Sequence, residues 1–276
     1  MTTKIALVTG GSSGIGEATA LALTQTGYTV YTGARRVERM QRLKEHGIRP
    51  LELDVTDEES MQSAVSKIVA SERRIDVLVN NAGYGSFGAL EDVPLSEARS
   101  QFEVNVFGAA RLTQLVLPQM LQQRSGTIVN ITSMGGRIYT PLGSWYHATK
   151  FALEAISDCL RMELRPFNIN VVVIEPGVIQ TEWGGIAAEK VRAVSSTGPY
   201  VSQGNAVAEA LSSESSRGRL SPPELVARTI ARAVTTQRPR TCYAVGYGAK
   251  LMIFLHSILP NRWFDALMHR VTGMPA

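Results

Sequence analysis

The sequence of 276 residues is poor in cysteine and has no long apolar run. Its two cysteines are Cys159, in a helical pattern, and Cys242, in a strand-like pattern, and neither belongs to a metal-ligand spacing or a disulfide framework. No apolar run approaches the ~20 residues that a membrane-spanning helix needs. The N-terminus leads directly into a predicted strand, without the architecture of a signal peptide. We therefore expect a cytoplasmic protein without a metal site.

Charges of one sign are not clustered either. The 28 Lys and Arg residues are scattered among 24 Asp and Glu residues, which gives a formal net charge of +4. A mildly basic surface without a basic run argues against nucleic acid as a partner. Hydrophobic residues make up 44% of the sequence, which is enough for the core of one large domain.

Short apolar segments alternate with helical patterns along most of the chain. Strands are predicted at Ile5–Thr9, 29–33, 50–53, 75–80, 127–132, 169–175 and Cys242–Val245. Helices are predicted at 14–27, Val37–His46, 57–73, 96–124, 144–165 and 222–235, with a kink at Pro118. This alternation indicates a single-domain α/β fold of the Rossmann type, a doubly wound parallel sheet of about seven strands with helices on both faces.

Two regions interrupt the alternation. Residues 177–221 form a long insertion, and its latter part, 195–219, is rich in Ser and Gly. A loop of this length in a compact domain is usually a functional lid or disordered, and we expect a lid. The tail 247–276 contains the apolar run 251–255, then Pro260 and a second, amphipathic stretch. Some surface must cover so apolar a helix.

A glycine-rich turn follows the first predicted strand and reads Thr9-Gly10-Gly11-Ser12-Ser13-Gly14-Ile15-Gly16. Glycines at positions 10, 14 and 16 let the backbone turn tightly and approach a pyrophosphate, which amides at the start of the next helix can bind. Such a turn also occurs as simple structural punctuation, so it is not specific by itself.

Tyr146 and Lys150 lie four residues apart in a predicted helix, and Ser133 precedes them at the end of a predicted strand. In a helix this spacing places the phenol and the ammonium on one face, where the cation can favour the phenolate. Together with the glycine-rich turn, the pair points to nicotinamide-dependent carbonyl chemistry. An isolated match of this kind is more often an exposed Tyr/Lys pair.

These motifs, in their order along the chain, resemble those of the short-chain dehydrogenase/reductase family in its compact single-domain form. The resemblance covers residue 4 to about residue 182. The resemblance extends to Asp54-Val55, Asn80-Asn81-Ala82-Gly83, Asn105, Pro176-Gly177 and Thr181. The glycine spacing Gly-x-x-x-Gly-x-Gly differs from the Thr-Gly-x-x-Gly-x-x-Gly of nucleotide-sugar epimerases, which use the same Tyr/Lys pair.

The resemblance implies four catalytic residues. Tyr146 protonates the carbonyl oxygen during reduction, or accepts the alcohol proton during oxidation, and Ser133 binds that oxygen. Lys150 binds the nicotinamide ribose and lowers the pKa of the tyrosine. Asn105 distorts its helix and holds a water of the proton relay, although a buried, hydrogen-bonded amide is more often only structural.

The same resemblance implies a dinucleotide site. Its residues are Gly10, Ser12, Ser13, Gly14, Ile15, Gly16, Asp54, Val55, Asn81, Ala82, Gly83, Tyr146, Lys150, Pro176, Gly177, Val178 and Thr181. Among them Asp54-Val55 contacts the adenine and Thr181 the carboxamide of the nicotinamide. Asp54 could instead be a turn residue.

Cofactor preference is read at the end of the second predicted strand, where NAD-dependent dehydrogenases generally place an acid that repels the 2′-phosphate of NADP. The sequence there is Gly33-Ala34-Arg35-Arg36, so Ala34 replaces the acid and a guanidinium follows it. We predict NADP(H) in preference to NAD(H), with Arg35 and Arg36 as the phosphate contacts. The alternative is that these arginines start a helix on a solvated surface.

Substrate selection belongs to 84–95, 134–145 and 178–221, the segments that flank the cleft in the family. Their aromatic and apolar side chains favour a lipophilic ketone, aldehyde or secondary alcohol over a sugar phosphate. The predicted substrate contacts are Ser133, Tyr146, Tyr84, Tyr139 and Trp183.

We assign residues 1–246 to the dinucleotide-binding and catalytic domain, including the lid 178–221, and 247–276 to an apolar helical extension of the same domain. The tail is expected to cap the substrate cleft, although a second subunit or a membrane surface could also receive it. The resemblance implies a homodimer or homotetramer through 96–124 and 144–165. The alternative to an enzyme is a non-catalytic NADP-sensing protein on the same fold.

Overall fold

A sheet of seven parallel strands forms the centre of the molecule, in the order β3-β2-β1-β4-β5-β6-β7. The strands are β1 Ile5–Thr9, β2 Thr29–Ala34, β3 Arg49–Glu52, β4 Val77–Asn80, β5 Gly126–Ile131, β6 Ile169–Pro176 and β7 Cys242–Val245. In this computed structural model, residues 3–216 and 220–274 are described. The strand order reverses between β1 and β4, and ligands of such sheets bind in the crevice at the carboxyl ends of these strands.

Helices cover both faces of the sheet. They are α1 Gly14–Gln25, α2 Glu58–Glu72, α3 Leu95–Phe102, α4 Ala109–Gln123, α5 Ser144–Leu164, α6 Trp183–Val194, α7 Val201–Ser216, α8 Pro223–Thr235, α9 Ala249–Ile258 and α10 Asn261–Thr272. Alternate residues of β1 serve the two faces: Ala6 and Val8 pack with α1 and α8, whereas Ile5 and Leu7 pack with α2 and α4. The expected Rossmann-type fold is confirmed.

The predicted helix 96–124 is interrupted in its hydrogen bonding. It consists of α3, a π-helical segment at Glu103–Gly108 and α4. The irregular segment contains Asn105, whereas Pro118 lies inside the continuous helix α4. Short 3₁₀ segments lie at Met134–Gly136 and Arg165–Phe167, and Val37–His46 is helical as expected but has 3₁₀ form.

The insertion after β6 is largely helical, so the expectation of a Ser- and Gly-rich loop is wrong. It folds into α6 and α7, which bury Ala187, Val191, Val207 and Ala208 against each other. Gly204 lies inside α7, where a Cβ would come within 2.6 Å of the carbonyl oxygen of Ser195. Gly204 therefore lets α7 pack closely against the backbone at Ser195, and it does not mark a loop. Residues 217–219 of the predicted lid lie outside the described part of the chain.

The C-terminal tail forms α9 and α10, and Pro260 is the N-cap residue of α10. Phe264 and Met268 of α10 are buried against Ile138, which follows β5. Among the described helices, none combines the length and the apolar character that a bilayer crossing requires.

Candidate active site

The turn after β1 has a backbone that glycine adopts more readily than other residues. Gly10 and Gly14 have φ of +68° and +58°, in the left-handed region. A Cβ on Gly16 would lie 2.3 Å from the carbonyl oxygen of Gly10, so α1 begins directly against the turn. The first amides of α1 therefore lie at the carboxyl edge of the sheet without intervening side chains, which fits the space and charge of a pyrophosphate.

The end of β4 braces this turn. The Thr9 hydroxyl oxygen accepts hydrogen bonds from the backbone amides of Asn81 and Ala82, both at 2.9 Å. The Asn81 side chain donates to the carbonyl oxygens of Thr9, at 2.9 Å, and of Gly10, at 3.3 Å. A Cβ on Gly83 would meet the amide oxygen of Asn105 at 3.0 Å. The sequence from Asn81 to Gly83 thus joins the glycine-rich turn to Asn105.

Asn105 links the loop after β4 to α5. Its Oδ1 accepts a hydrogen bond from Tyr84 N at 3.0 Å, and its Nδ2 donates to Tyr84 O at 2.9 Å and to Thr149 Oγ1 at 3.1 Å. These contacts hold a buried amide in the π-helical segment. The expected distortion of the helix at Asn105 is therefore present, and its part in a proton relay stays a prediction.

Helix α5 places Tyr146 and Lys150 on one face, against the carboxyl end of β5. Ser133 follows β5, and its Oγ accepts a hydrogen bond from Gly135 N at 3.0 Å and is hydrogen-bonded to the Tyr146 phenol. The Lys150 ammonium donates to the carbonyl oxygen of Ile131 at 3.0 Å. The three predicted side chains therefore converge on the edge of the sheet that carries the glycine-rich turn.

Burial dominates the electrostatics of these side chains. It raises the pKa of Tyr146 to about 12, and the hydrogen bond with Ser133 opposes this shift. It lowers the pKa of Lys150 to about 8, and the charge of Glu154 opposes that shift. In this structure desolvation outweighs the hydrogen bond with Ser133, and a lowering of this pKa by Lys150 stays a prediction. At pH 7 the phenol carries its proton and can donate it to a bound carbonyl oxygen.

Sequence reasoning missed Glu154, one helical turn beyond Lys150. Its carboxyl is buried and accepts a hydrogen bond from Thr132 Oγ1 at 2.6 Å. Burial, followed by the charge of buried Glu175, raises the pKa of Glu154 to about 7, although Thr132 and Arg137 oppose the shift. The i, i+4 spacing from Lys150 was the one signal that could have identified it.

The first residue of α6 covers Tyr146. The ring of Trp183 lies 5.2 Å from the ring of Tyr146 and 5.8 Å from that of Phe87, measured between centroids. Phe87 in turn lies 5.2 Å from Tyr146. An aromatic cluster built from the loop after β4, from α5 and from the insertion therefore encloses the phenol. The role of the insertion as a lid over the substrate stays a prediction.

The other two predicted substrate residues lie in different surroundings. The Tyr84 ring lies 4.5 Å from the ammonium of Lys190 in α6, and burial, followed by the charge of Glu97, raises the pKa of its phenol. Tyr139 donates its hydroxyl to Asp265 at 3.1 Å and packs against Phe264 in the tail. The structure thus brings Trp183, but not Tyr139, into the aromatic cluster around Tyr146.

A cavity of about 420 Å³ lies between the glycine-rich turn and the 3₁₀ segment Val37–His46 that follows β2. It is lined by Ser12, Ser13, Glu38, Arg39, Arg42 and Glu182. Arg39 pairs with Glu182 at 3.4 Å, and Arg35 and Arg36 are exposed directly after β2. The two predicted serines therefore share a cavity with two cations, Arg39 and Arg42, that the sequence analysis did not name. Ile15, in contrast, packs against the core.

The remaining predicted cofactor residues lie at the ends of β3 and β6. Asp54 Oδ1 accepts hydrogen bonds from the amide and the hydroxyl of Thr56, at 2.9 and 2.7 Å, which is the turn geometry considered as its alternative role. Val55 is buried in the core. After Pro176, a Cβ on Gly177 would meet the carbonyl oxygen of Tyr247 at 2.0 Å, and Val178 forms a bridge with that residue.

The segment after β6 then reaches the glycine-rich turn. The methyl group of Thr181 lies 3.0 Å from the position of a Cβ on Gly14. Thr181 therefore belongs to the same edge of the sheet as the turn and the catalytic side chains, and its contact with a cofactor stays a prediction.

A family model described as short chain dehydrogenase matches residues 4–191. The chain is 36% identical over 267 residues to the probable short-chain type dehydrogenase/reductase VdlC of Helicobacter pylori, with 97% of each chain covered. It is 40% identical over 182 residues to the 3-ketodihydrosphingosine reductase of Bacteroides thetaiotaomicron, with 66% of each covered.

Solved structures share the whole fold. A short-chain dehydrogenase from Streptomyces avermitilis is 34% identical with a TM-score of 0.78, covering 99% of this chain and 96% of that one. An alcohol dehydrogenase from Thermococcus sibiricus, complexed with 5-hydroxy-NADP, is 25% identical with a TM-score of 0.73, covering 90% and 97%.

Proposed function

The chain belongs to the short-chain dehydrogenase/reductase family and is an oxidoreductase that uses a nicotinamide cofactor, and we propose that it interconverts a lipophilic ketone or aldehyde and its alcohol with NADP(H). The observation that carries the proposal is the convergence of Tyr146, Ser133 and Lys150 beside the glycine-rich turn.

In the proposed reduction, the glycine-rich turn would hold a reduced nicotinamide cofactor, which would supply the hydride for the new C–H bond at the carbonyl carbon. Ser133 holds the carbonyl oxygen, and Tyr146 gives its phenolic proton to that oxygen as negative charge develops there. Lys150 is held by Ile131 O close to the sheet edge, where its charge stabilises the phenolate that remains. In oxidation the same groups act in reverse, with the phenolate as the base.

The preference for NADP(H) over NAD(H) rests on the end of β2. Ala34 leaves no carboxylate there, and Arg35 and Arg36 expose two guanidinium groups directly after the strand. A 2′-phosphate at this position meets cations instead of an acid, and guanidinium–phosphate pairs are among the stronger charge-assisted contacts. Arg39 and Arg42 in the neighbouring cavity add to the positive charge, although Glu182 and Glu17 pair with them.

The lipophilic substrate is supported by the surroundings of the phenol. Tyr146 lies in a cluster with Phe87, Leu142, Trp183 and the apolar side of α6 and α7. Such walls gain free energy by covering apolar area and offer few partners to a polar ligand. A lipophilic ketone is also the substrate class in the name of the Bacteroides thetaiotaomicron relative.

The exposed apolar side chains of the middle helices support a homodimer or homotetramer. Leu95, Phe107, Phe151 and Met162 are exposed on α3, the π-helical segment and α5. These are the segments through which a homo-oligomer was predicted, and a shared interface would remove their apolar surface from water. A cytoplasmic location stays a prediction from the sequence.

The test is a screen with ketones and aldehydes of increasing chain length. Oxidation of the reduced cofactor is followed by its absorbance at about 340 nm. We expect turnover with NADPH and the highest kcat/KM for long apolar carbonyls. Tight NADPH binding without turnover of any carbonyl would instead support the NADP-sensing alternative, and a preference for NADH would contradict the cofactor assignment.

A further inference from the structure

The outward face of helix α9 exposes large apolar side chains. Leu251, Phe254 and Ile258 are 61%, 57% and 57% exposed. Their spacing of three and four residues places them in one stripe along the helix. The opposite side of the helix, with Met252 and Ile253, packs toward the cluster around Ile138. Helix α9 therefore uses one apolar face for the fold and leaves a second one at the surface.

Trp263 extends this exposed surface along the chain. It lies in the first turn of α10 and is 68% exposed, the highest value among the large apolar side chains that the structure describes. An indole has an apolar body and one polar N–H group, so it suits a boundary between water and lipid. We call Leu251, Phe254, Ile258 and Trp263 the tail patch.

The charges around the tail patch are mostly positive. In the described tail, 247–274, the cations Lys250, Arg262 and Arg270 are all exposed. The described tail contains one carboxylate, that of Asp265, which accepts a hydrogen bond from the hydroxyl of Tyr139 at 3.1 Å. The patch therefore combines apolar side chains with a surplus of positive charge, the combination that attracts anionic lipid headgroups.

We propose that the tail patch docks on an anionic lipid bilayer, with α9 lying in the plane of the interface. At 10 residues, α9 is about 15 Å long, half of the ~30 Å of a hydrocarbon core, so it lies on the membrane and does not cross it. A second copy of the chain fits the patch less well. In a two-fold contact the same surface meets itself, so the net positive charge of the tail in one copy would face an equal positive charge in the other.

The helices that carry the tail patch also contact the candidate active site. The inner side of α9 and α10 contacts Met134 and Ile138, which closely follow Ser133. The membrane-facing helix is thus also part of the wall beside the cleft. Lipid binding needs neither cofactor nor carbonyl substrate, so the proposal stands or falls separately from the proposed reaction.

The experiment is co-sedimentation of the full chain with vesicles of phosphatidylcholine alone, and with vesicles in which phosphatidylglycerol replaces part of it. We expect binding to the anionic vesicles that weakens as salt is added. The variant Leu251→Ser/Phe254→Ser/Ile258→Ser should bind at least about tenfold more weakly, because three apolar side chains no longer enter the interface. Leu90→Ser, at a residue that is 60% exposed outside the tail, is the matched control and should bind as the wild type does.

A second variant, Lys250→Glu/Arg262→Glu, keeps the apolar residues and should lose the preference for anionic vesicles. Wild-type protein that stays in the supernatant would overturn the proposal, as would equal binding by the triple variant. If light scattering finds a wild-type dimer that the triple variant converts to monomers, without vesicle binding by either, the patch covers a second copy instead of a membrane.

Discussion

Tyr146 and Lys150 are each less than a tenth exposed, and burial moves both pKa values toward the neutral forms of the side chains. A neutral phenol suits the donation of a proton to a carbonyl oxygen. The ammonium pKa of about 8 lies close enough to pH 7 for its charge to depend on the neighbours, and Glu154 is the neighbour that raises it. At the scale of single residues, the proton transfer that we propose thus involves Glu154 as well, because its charge acts on the pKa of Lys150.

Glu154 should make the stability of the protein depend on pH. Its folded-state pKa of about 7 lies above the value of 4.5 for a free side chain, so the folded state holds the proton more tightly. The protonated carboxyl of Glu154 therefore contributes to the free energy of unfolding. This contribution is fully present below pH 4.5 and is lost as the pH rises toward 7. Over that interval the loss is about 3 kcal/mol, taken from the shift from 4.5 to about 7.

In Glu154→Gln the side chain at this position cannot ionise. The variant should therefore lose less stability than the wild type between about pH 5 and about pH 8, a range chosen to cover the titration of Glu154. Urea unfolding at both pH values measures this difference. Glu163→Gln, on the exposed side of the same helix, is the control and should follow the wild type. Parallel pH profiles for wild type and Glu154→Gln would show that the carboxyl is ionised in the folded state throughout.

The end of β2 yields a prediction on cofactor choice. In Ala34→Asp/Arg35→Ala, a carboxylate replaces the neutral residue and one guanidinium is lost, so kcat/KM for NADPH should fall about 10- to 100-fold relative to NADH. Steady-state kinetics with both cofactors measures the ratio. Arg240→Ala, at an exposed arginine before β7, is the control for loss of a positive charge. Equal or better use of NADH by the wild type would contradict the assignment.

At the scale of elements, the centre of the sheet could be predicted from the sequence because β1, β4, β5 and β6 are buried on both faces and read as short apolar runs. Helix α7 could not, since its Ser and Gly residues are typical of loops and its helical form depends on packing against α6. The π-helical segment depends likewise on a tertiary contact, the hydrogen bonds of Asn105 with Tyr84. The placement of Tyr139 in the tail cluster has no local signal at all.

The tail supports a prediction on substrate size. Met274 packs in the cluster that contains Tyr146, and α10 covers the segment after Ser133, so the tail bounds the apolar side of the site. Truncation after Gly246 should raise KM for long apolar carbonyls several-fold more than for short ones, with NADPH affinity nearly unchanged. Kinetics with a chain-length series tests this, and thermal unfolding reports whether the shortened protein folds. A uniform loss across substrate sizes, or unfolding, would make the tail a structural element only.

At the scale of the whole molecule, residues from distant parts of the sequence meet because the carboxyl ends of parallel strands share one edge. The glycine-rich turn follows β1, Asn81 follows β4, Ser133 follows β5 and Thr181 follows β6. The order of these motifs along the chain therefore reproduces their order around the crevice, which is why the candidate site could be found from sequence. Their pKa values could not, since burial depends on the complete fold.

The central claim is that Tyr146 donates the proton in an NADPH-dependent carbonyl reduction, and the most direct test is Tyr146→Phe. With the best carbonyl substrate of the wild type, kcat should fall at least ~100-fold, the scale of general acid catalysis, while the Kd for NADPH stays unchanged by fluorescence titration. Tyr139→Phe, which loses a phenol hydroxyl bonded to Asp265 in the tail, should keep nearly the wild-type kcat. Turnover by Tyr146→Phe at close to the wild-type rate would contradict the account.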